Sequence, residues 1–200
     1  MLTKTILLGA VRLLVGAHPR WPEQPLPARQ SIFFSNHTSH LDTLVLLAAL
    51  ANHKGPAVRP VAARDYWGKG PLRRYVAQTV LNAVLIDRKK EEGQDPLAPL
   101  REALSHGDSL ILFPEGTRSD NPVPETFRSG LYVLAKEFPE VALVPVYLQN
   151  LHRIMPKGAS LPVPLISRLS FGEPISCAPD EDRGAFLSRA RDVVIALGKE

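Results

Sequence analysis

Imidazole, hydroxyl and carboxylate groups crowd into one octet, Ser35-Asn36-His37-Thr38-Ser39-His40-Leu41-Asp42. His37 and Asp42 stand five residues apart, about 500° along an ideal helix and so roughly 140° off a shared face. Helical periodicity alone would keep them apart. A corner removes that obstacle: if His37 precedes a helix and Asp42 lies in its first turn, the chain can fold the carboxylate back onto the imidazole. The helix macrodipole favours a carboxylate there. An Asp holding one ring nitrogen of a His fixes the tautomer and leaves the other nitrogen free as a base. Such a dyad brings no nucleophile of its own. It suits a reaction in which a hydroxyl of the substrate attacks. Two other readings of the octet stand beside this one. Asn36, Thr38, Ser39 and Asp42 are also turn and N-cap residues, with two surface histidines as neighbours. His37, His40 and Asp42 also have the make-up of a metal site, and His40-x-Asp42 has the spacing of part of a two-His, one-carboxylate iron centre. No second dense His or Cys cluster exists to complete it.

The flanking sequence supplies the corner. Ile32-Phe33-Phe34 reads as a short buried strand, and Leu44 to Leu50, rich in Leu and Ala, as a buried helix. From Ser31 onward the chain alternates. Strand-like runs fall at 31–35, 58–63, 81–86, 109–113, 142–147 and 166–171, and helix-like runs at 42–52, 70–79, 96–105, 128–138 and 181–198. The expected fold is α/β, a layered, mostly parallel or mixed sheet flanked by helices. Ligands of such folds gather at the carboxyl ends of the strands. The unusual polar sequences sit there, after 31–35, after 81–86 (Asp87-Arg88-Lys89-Lys90) and after 109–113 (Pro114-Glu115-Gly116-Thr117-Arg118-Ser119). Gly116 permits a positive φ or a close ligand approach, Arg118 offers a planar fork for phosphate, and Thr117 and Ser119 add hydroxyl donors. An anion site is the natural product. Nine Lys or Arg against two Asp between Lys54 and Lys90 make that stretch basic, and charge runs of this kind are commonly solvated faces.

Two hundred residues at 44% hydrophobic can bury one substantial core. The single cysteine, Cys177, excludes an internal disulfide and a thiolate zinc site. A net charge of +4 is too moderate to call for nucleic acid, and none is expected as a partner. Residues 1–17 are mostly apolar, with Lys4 and Arg12 the only charges. Arg12 falls near the middle, which is costly in a membrane span and breaks the apolar core of a signal peptide. The segment reads as a helix lying in a membrane interface, with Lys4 and Arg12 reaching to headgroups, or as one packed on the domain. Residues 18–30 hold four prolines within nine residues and read as an extended linker, leaving 31–200 as the main domain.

In order and spacing these motifs resemble the glycerolipid acyltransferase family, the lysophosphatidate acyltransferases with their glycerol-3-phosphate and lysophospholipid relatives. The family's Asn-His-x-Ser-x-x-Asp is matched by Asn36, His37, Ser39 and Asp42, and its Phe-Pro-Glu-Gly-Thr-Arg-Ser in full by Phe113 to Ser119. The second motif keeps Ile86 and Arg88 but has Asn82 and Leu85 in place of Gly and Phe. Phe127-Arg128-Ser129-Gly130 and Val144-Pro145-Val146 complete the likeness, which runs from about Ser31 to Pro174. The resemblance implies an O-acyltransferase with a glycerol-3-phosphate acyltransferase-like fold. His37 and Asp42 would be catalytic, and Arg88, Glu115, Gly116, Thr117 and Arg118 would hold the acceptor's phosphate. The donor would be acyl-CoA or acyl carrier protein, with no cofactor and no metal. The acceptor it implies first is 1-acyl-glycerol-3-phosphate, giving phosphatidate. Glycerol-3-phosphate or another lysophospholipid is the alternative, and a non-catalytic lipid-binding relative a further one. It also implies peripheral or monotopic association with the cytoplasmic face of a membrane.

Overall fold

In the computed structural model, residues 2–87, 95–155, 163 and 165–199 are described. Their helices are α1 (Leu2–Val15), α2 (Asp42–Ala49), α3 (Arg64–Trp67), α4 (Pro71–Tyr75), α5 (Ala98–Ser105), α6 (Gly130–Glu137), α7 (Leu151–Ile154) and α8 (Arg183–Leu197). Their strands are β1 (His18–Arg20), β2 (Ser31–Ser35), β3 (Val58–Ala63), β4 (Val84–Ile86), β5 (Ser109–Leu112), β6 (Ala142–Gln149) and β7 (Arg168–Phe171). They form one sheet in the order β1-β7-β6-β2-β5-β3-β4, with every neighbouring pair parallel except β6 and β7. The expected layered α/β sheet is therefore present.

Continuous apolar runs become strands here because both faces of the sheet are covered. All residues of β2 and β5 are buried. Successive side chains alternate between the faces. Phe33 and Ile111 pack with α1 and α2 on one side, while Ile32, Phe34, Leu110 and Leu112 pack with α5, α6 and α8 on the other. The register pairs Phe34 of β2 with Leu112 of β5, so the octet and the 113–119 loop leave the sheet side by side at its carboxyl edge. That adjacency positions the site.

Three sequence expectations need correction. The run 81–86 is a strand only over Val84–Ile86, because a π-helical turn, Val76–Val80, carries the preceding helix further. The connection then passes through Asn82 at φ 53°. Asn tolerates the left-handed region better than most residues, so it can stand where the related motif has Gly. Second, the segment 18–30 is more than a linker. His18–Arg20 is an edge strand on β7, and an edge is where a strand can carry Pro19 without losing a central ladder bond. Ser167 ties it in: its Oγ donates to the Val15 carbonyl at 2.7 Å and accepts from the Ala17 amide at 3.1 Å. Third, Arg12 turns inward rather than to headgroups. Its guanidinium bonds the Ala48 carbonyl near the C-terminal end of α2.

Helix α1 buries Leu8, Val11 and Val15 in the same core cluster as α2, and leaves Leu2, Ile6, Leu13 and Leu14 exposed. Among the described residues no helix is long and apolar enough to cross a membrane. Trp21 stacks on Phe171 at 4.6 Å between ring centroids.

Candidate active site

The octet makes the corner that the spacing requires. Asp42 is the first residue of α2 and fully buried, and its Oδ2 accepts three hydrogen bonds: from the backbone amides of Thr38 (2.7 Å) and Ser39 (2.9 Å) and from Nδ1–H of His37 (2.8 Å). Two amides fix the carboxylate, and the carboxylate fixes the imidazole. With Nδ1 as the donor, Nε2 is left as the basic nitrogen. The ring is also stacked on Phe113, at 4.1 Å and 17° between planes. Nothing in the sequence assigned that aromatic to the histidine.

A second clamp holds the backbone of the dyad. Glu115 is buried, and its Oε1 accepts from the His37 amide (2.7 Å) while Oε2 accepts from the Glu125 amide (2.8 Å). Burial pushes this carboxyl above the ordinary carboxylate range, and the two amides pull it partly back. Both its oxygens are engaged with backbone amides, so among the residues grouped for the acceptor phosphate it is the one that shapes the loop. The amide of Ser119 donates to the His37 carbonyl at 2.8 Å, closing the two loops onto each other. Gly116 has φ +72°, and a Cβ there would lie 2.7 Å from Nε of Arg128, which donates to the Glu115 carbonyl. A glycine is required on both counts. Asn36 acts as a spacer: its side-chain amide makes two bonds with the backbone of Leu148, at 2.8 and 3.1 Å, and seats the octet on β6.

His37 opens onto a cleft of about 190 Å³ whose wall includes His40, Gly116, Thr117 and Arg118. Its floor is apolar, with Val61, Ala62, Leu81, Ile86 and Leu112. Nη1 of Arg118 is buried with no hydrogen-bond partner among the described residues. A buried guanidinium nitrogen left in that state favours an anionic guest. The structure thus brings His37, Asp42, Gly116, Thr117 and Arg118 to one place. Arg88 lies outside the described residues. The metal reading distributes its residues otherwise: Nδ1 of His37 and Oδ2 of Asp42 are joined to each other, and His40 stacks on Tyr66 at 5.3 Å.

The acyltransferase family profile matches residues 22–149, and the chain belongs to that family. Its fold is that of a solved lysophosphatidate acyltransferase, PlsC from Thermotoga maritima, with a TM-score of 0.71 and 20% identity over 98% of this chain and 80% of the other. The chloroplastic 1-acyl-sn-glycerol-3-phosphate acyltransferase LPAT1 of Arabidopsis thaliana is 31% identical over 144 residues, 69% of this chain and 36% of that protein. The 1-acyl-sn-glycerol-3-phosphate acyltransferase alpha of Ovis aries is 29% identical over 153 residues, 75% of this chain and 49% of the relative. The chain therefore spans between about a third and a half of the length of these curated relatives.

Proposed function

We propose that this protein transfers a fatty acyl chain from an acyl thioester to the free hydroxyl of a lysophospholipid, with 1-acyl-glycerol-3-phosphate as the acceptor and phosphatidate as the product. The observation that carries this reading is the His37–Asp42 contact in the same cleft as an Arg118 nitrogen that has no partner among the described residues. In this reaction Nε2 of His37 takes the proton of the acceptor hydroxyl as its oxygen attacks the thioester carbonyl. The tetrahedral intermediate expels the thiolate, which recovers the proton from the imidazolium. Asp42 holds the ring and stabilises its charge during the step. No acyl-enzyme forms, and neither cofactor nor metal takes part. General-base catalysis contributes about 10²–10⁴-fold. Holding two substrates in line adds effective molarities of about 10⁵–10⁸ M. Arg118 and Thr117, with Arg88 as the resemblance suggests, bind the acceptor phosphate, and the apolar floor accommodates hydrocarbon.

Lysophospholipids reside in membranes. The exposed Leu2, Ile6, Leu13 and Leu14 of α1 support peripheral docking, at the cytoplasmic face where acyl thioesters are supplied. Leu13→Asp should reduce co-sedimentation with anionic liposomes, and unchanged sedimentation would remove α1 from that role.

Thiol release should be followed with a panel of lysophosphatidate, glycerol 3-phosphate and lysophosphatidylcholine against acyl-CoA and acyl carrier protein. Release that depends on lysophosphatidate is expected. Release only with glycerol 3-phosphate would reassign the acceptor, and a panel without any turnover would contradict the enzyme reading.

A further inference from the structure

The motif that the octet matches leaves position 40 open, and this chain fills it with an imidazole on the cleft wall beside Gly116, Thr117 and Arg118. The ring of His40 is held in place. It stacks on Tyr66 at 5.3 Å and 25°, Trp67 braces Tyr66 edge-on at 5.5 Å, and the Arg73 guanidinium lies over the same Tyr66 ring at 4.7 Å. Among the described residues its two nitrogens make no hydrogen bond. An imidazole so positioned, on the wall that carries a guanidinium nitrogen also without a partner among the described residues, has the make-up of a ligand group.

The charges around it decide when it is protonated. Arg118 faces it from the loop after β5, His37 and Asp42 from its own loop and α2, and Arg73 from α4 across the Tyr66 ring. Asp42 is the one carboxylate in this set, and its Oδ2 already accepts three hydrogen bonds. Burial, then Arg118 and His37, hold the imidazole below its ordinary value, with Asp42 opposing and Arg73 adding to the depression. A phosphate monoester brings about −1.5 to −2 charges at neutral pH. Between His40 and Arg118 it would reverse the balance and stabilise the imidazolium.

We propose that His40 is an acceptor-phosphate ligand that takes up a proton as the phosphate enters, so that the cleft favours phosphate monoesters over phosphodiester and zwitterionic headgroups. This rests on the phosphate-binding reading of the cleft and deepens it. The proton goes from solvent to a ring nitrogen of His40, which then donates a charge-assisted hydrogen bond to a phosphate oxygen. The sign follows from linkage. A proton bound on association makes affinity fall as pH rises through the imidazolium's value in the complex. Below about pH 6 the phosphate acquires its own second proton and loses charge. Affinity should therefore peak between those limits.

The test is titration calorimetry of the full chain with glycerol 3-phosphate, a soluble monoester, in two buffers of different ionisation heat; no donor or turnover is needed. The wild type should take up a substantial fraction of a proton at neutral pH, and glycerophosphocholine, a diester, should bind more weakly without uptake. His40→Gln should abolish the uptake and weaken binding by about tenfold to a hundredfold near pH 6.5, the range for one charge-assisted bond. The two proteins should converge near pH 9, where both side chains are neutral. His40→Lys should restore tight binding without uptake. Uptake that persists in His40→Gln would place the proton on His37 and overturn the proposal. So would a loss of affinity that is equal at every pH, which is the mark of a packing role. A wild type that binds no glycerol 3-phosphate would instead overturn the phosphate reading of Arg118 itself.

Discussion

The two sides of the cleft differ in how their polar groups are satisfied. On the dyad side the groups that hold the imidazole are engaged: Asp42 Oδ2 has three donors, Glu115 bridges two amides, and the His37 ring is stacked on Phe113, while Asp42 Oδ1 and the Thr38 hydroxyl are buried without a partner among the described residues. On the anion side Arg118 keeps a buried nitrogen without a partner, and His40 keeps two free ring nitrogens among the described residues. The bonds to Oδ2 and the stacked ring mean preorganisation, because a base that must act at one atom gains from having no freedom. A buried donor without an acceptor is costly, and an anion that accepts from it relieves that cost. On the proposed reading, the contrast separates residues that set the reaction rate from residues that set acceptor affinity.

Substitutions on the dyad side should strike kcat. His37→Ala and Asp42→Asn are each expected to lower kcat by about 10²–10⁴-fold, with far-UV circular dichroism unchanged for His37→Ala. A variant of either kind with near-normal turnover would break the division. Arg118→Ala should raise the acceptor KM by about tenfold to a hundredfold, the range for a charged hydrogen bond, and leave the donor KM alone. An effect confined to the donor would reverse the assignment. Glu115→Gln sharpens the comparison from the other side. Its amide can accept one backbone N–H but presents a donor to the second, so a loss of about 1–3 kcal/mol of stability is expected in chemical denaturation. The same variant should lower kcat with little change in acceptor KM, because Glu115 acts through the position of His37. The smallest effect is at Asn82. Asn82→Gly should be close to neutral and Asn82→Ala destabilising by about 1 kcal/mol, since its φ of 53° suits Gly and not Ala.

Legibility in the sequence followed the burial of the strands. β2, β5 and β6 are apolar enough to be covered on both faces, and their runs read as strands directly. The His37–Asp42 corner was readable because only a strand-to-helix turn lets that spacing meet. β1 was not, since His18-Pro19-Arg20 has no apolar signature and exists as a strand through its partner β7 and the Ser167 bonds. The polar run 114–119 announced an anion site but not which side chain points where. Only the folded loop turns Glu115 onto the His37 and Glu125 amides and leaves Arg118 on the cleft wall. Arg12 misled for a similar reason, because its partner is a helix-end carbonyl 36 residues away.

The central claim is that the imidazole activates the acceptor's own hydroxyl and that no protein group ever carries the acyl chain. Rapid-quench measurement of thiol release from acyl-CoA, with and without lysophosphatidate, tests it when paired with the intact mass of the quenched protein. The account predicts no release burst without acceptor, and a protein mass that never shifts by an acyl group. A stoichiometric burst of thiol in the absence of acceptor, with an acyl adduct on the chain, would contradict it.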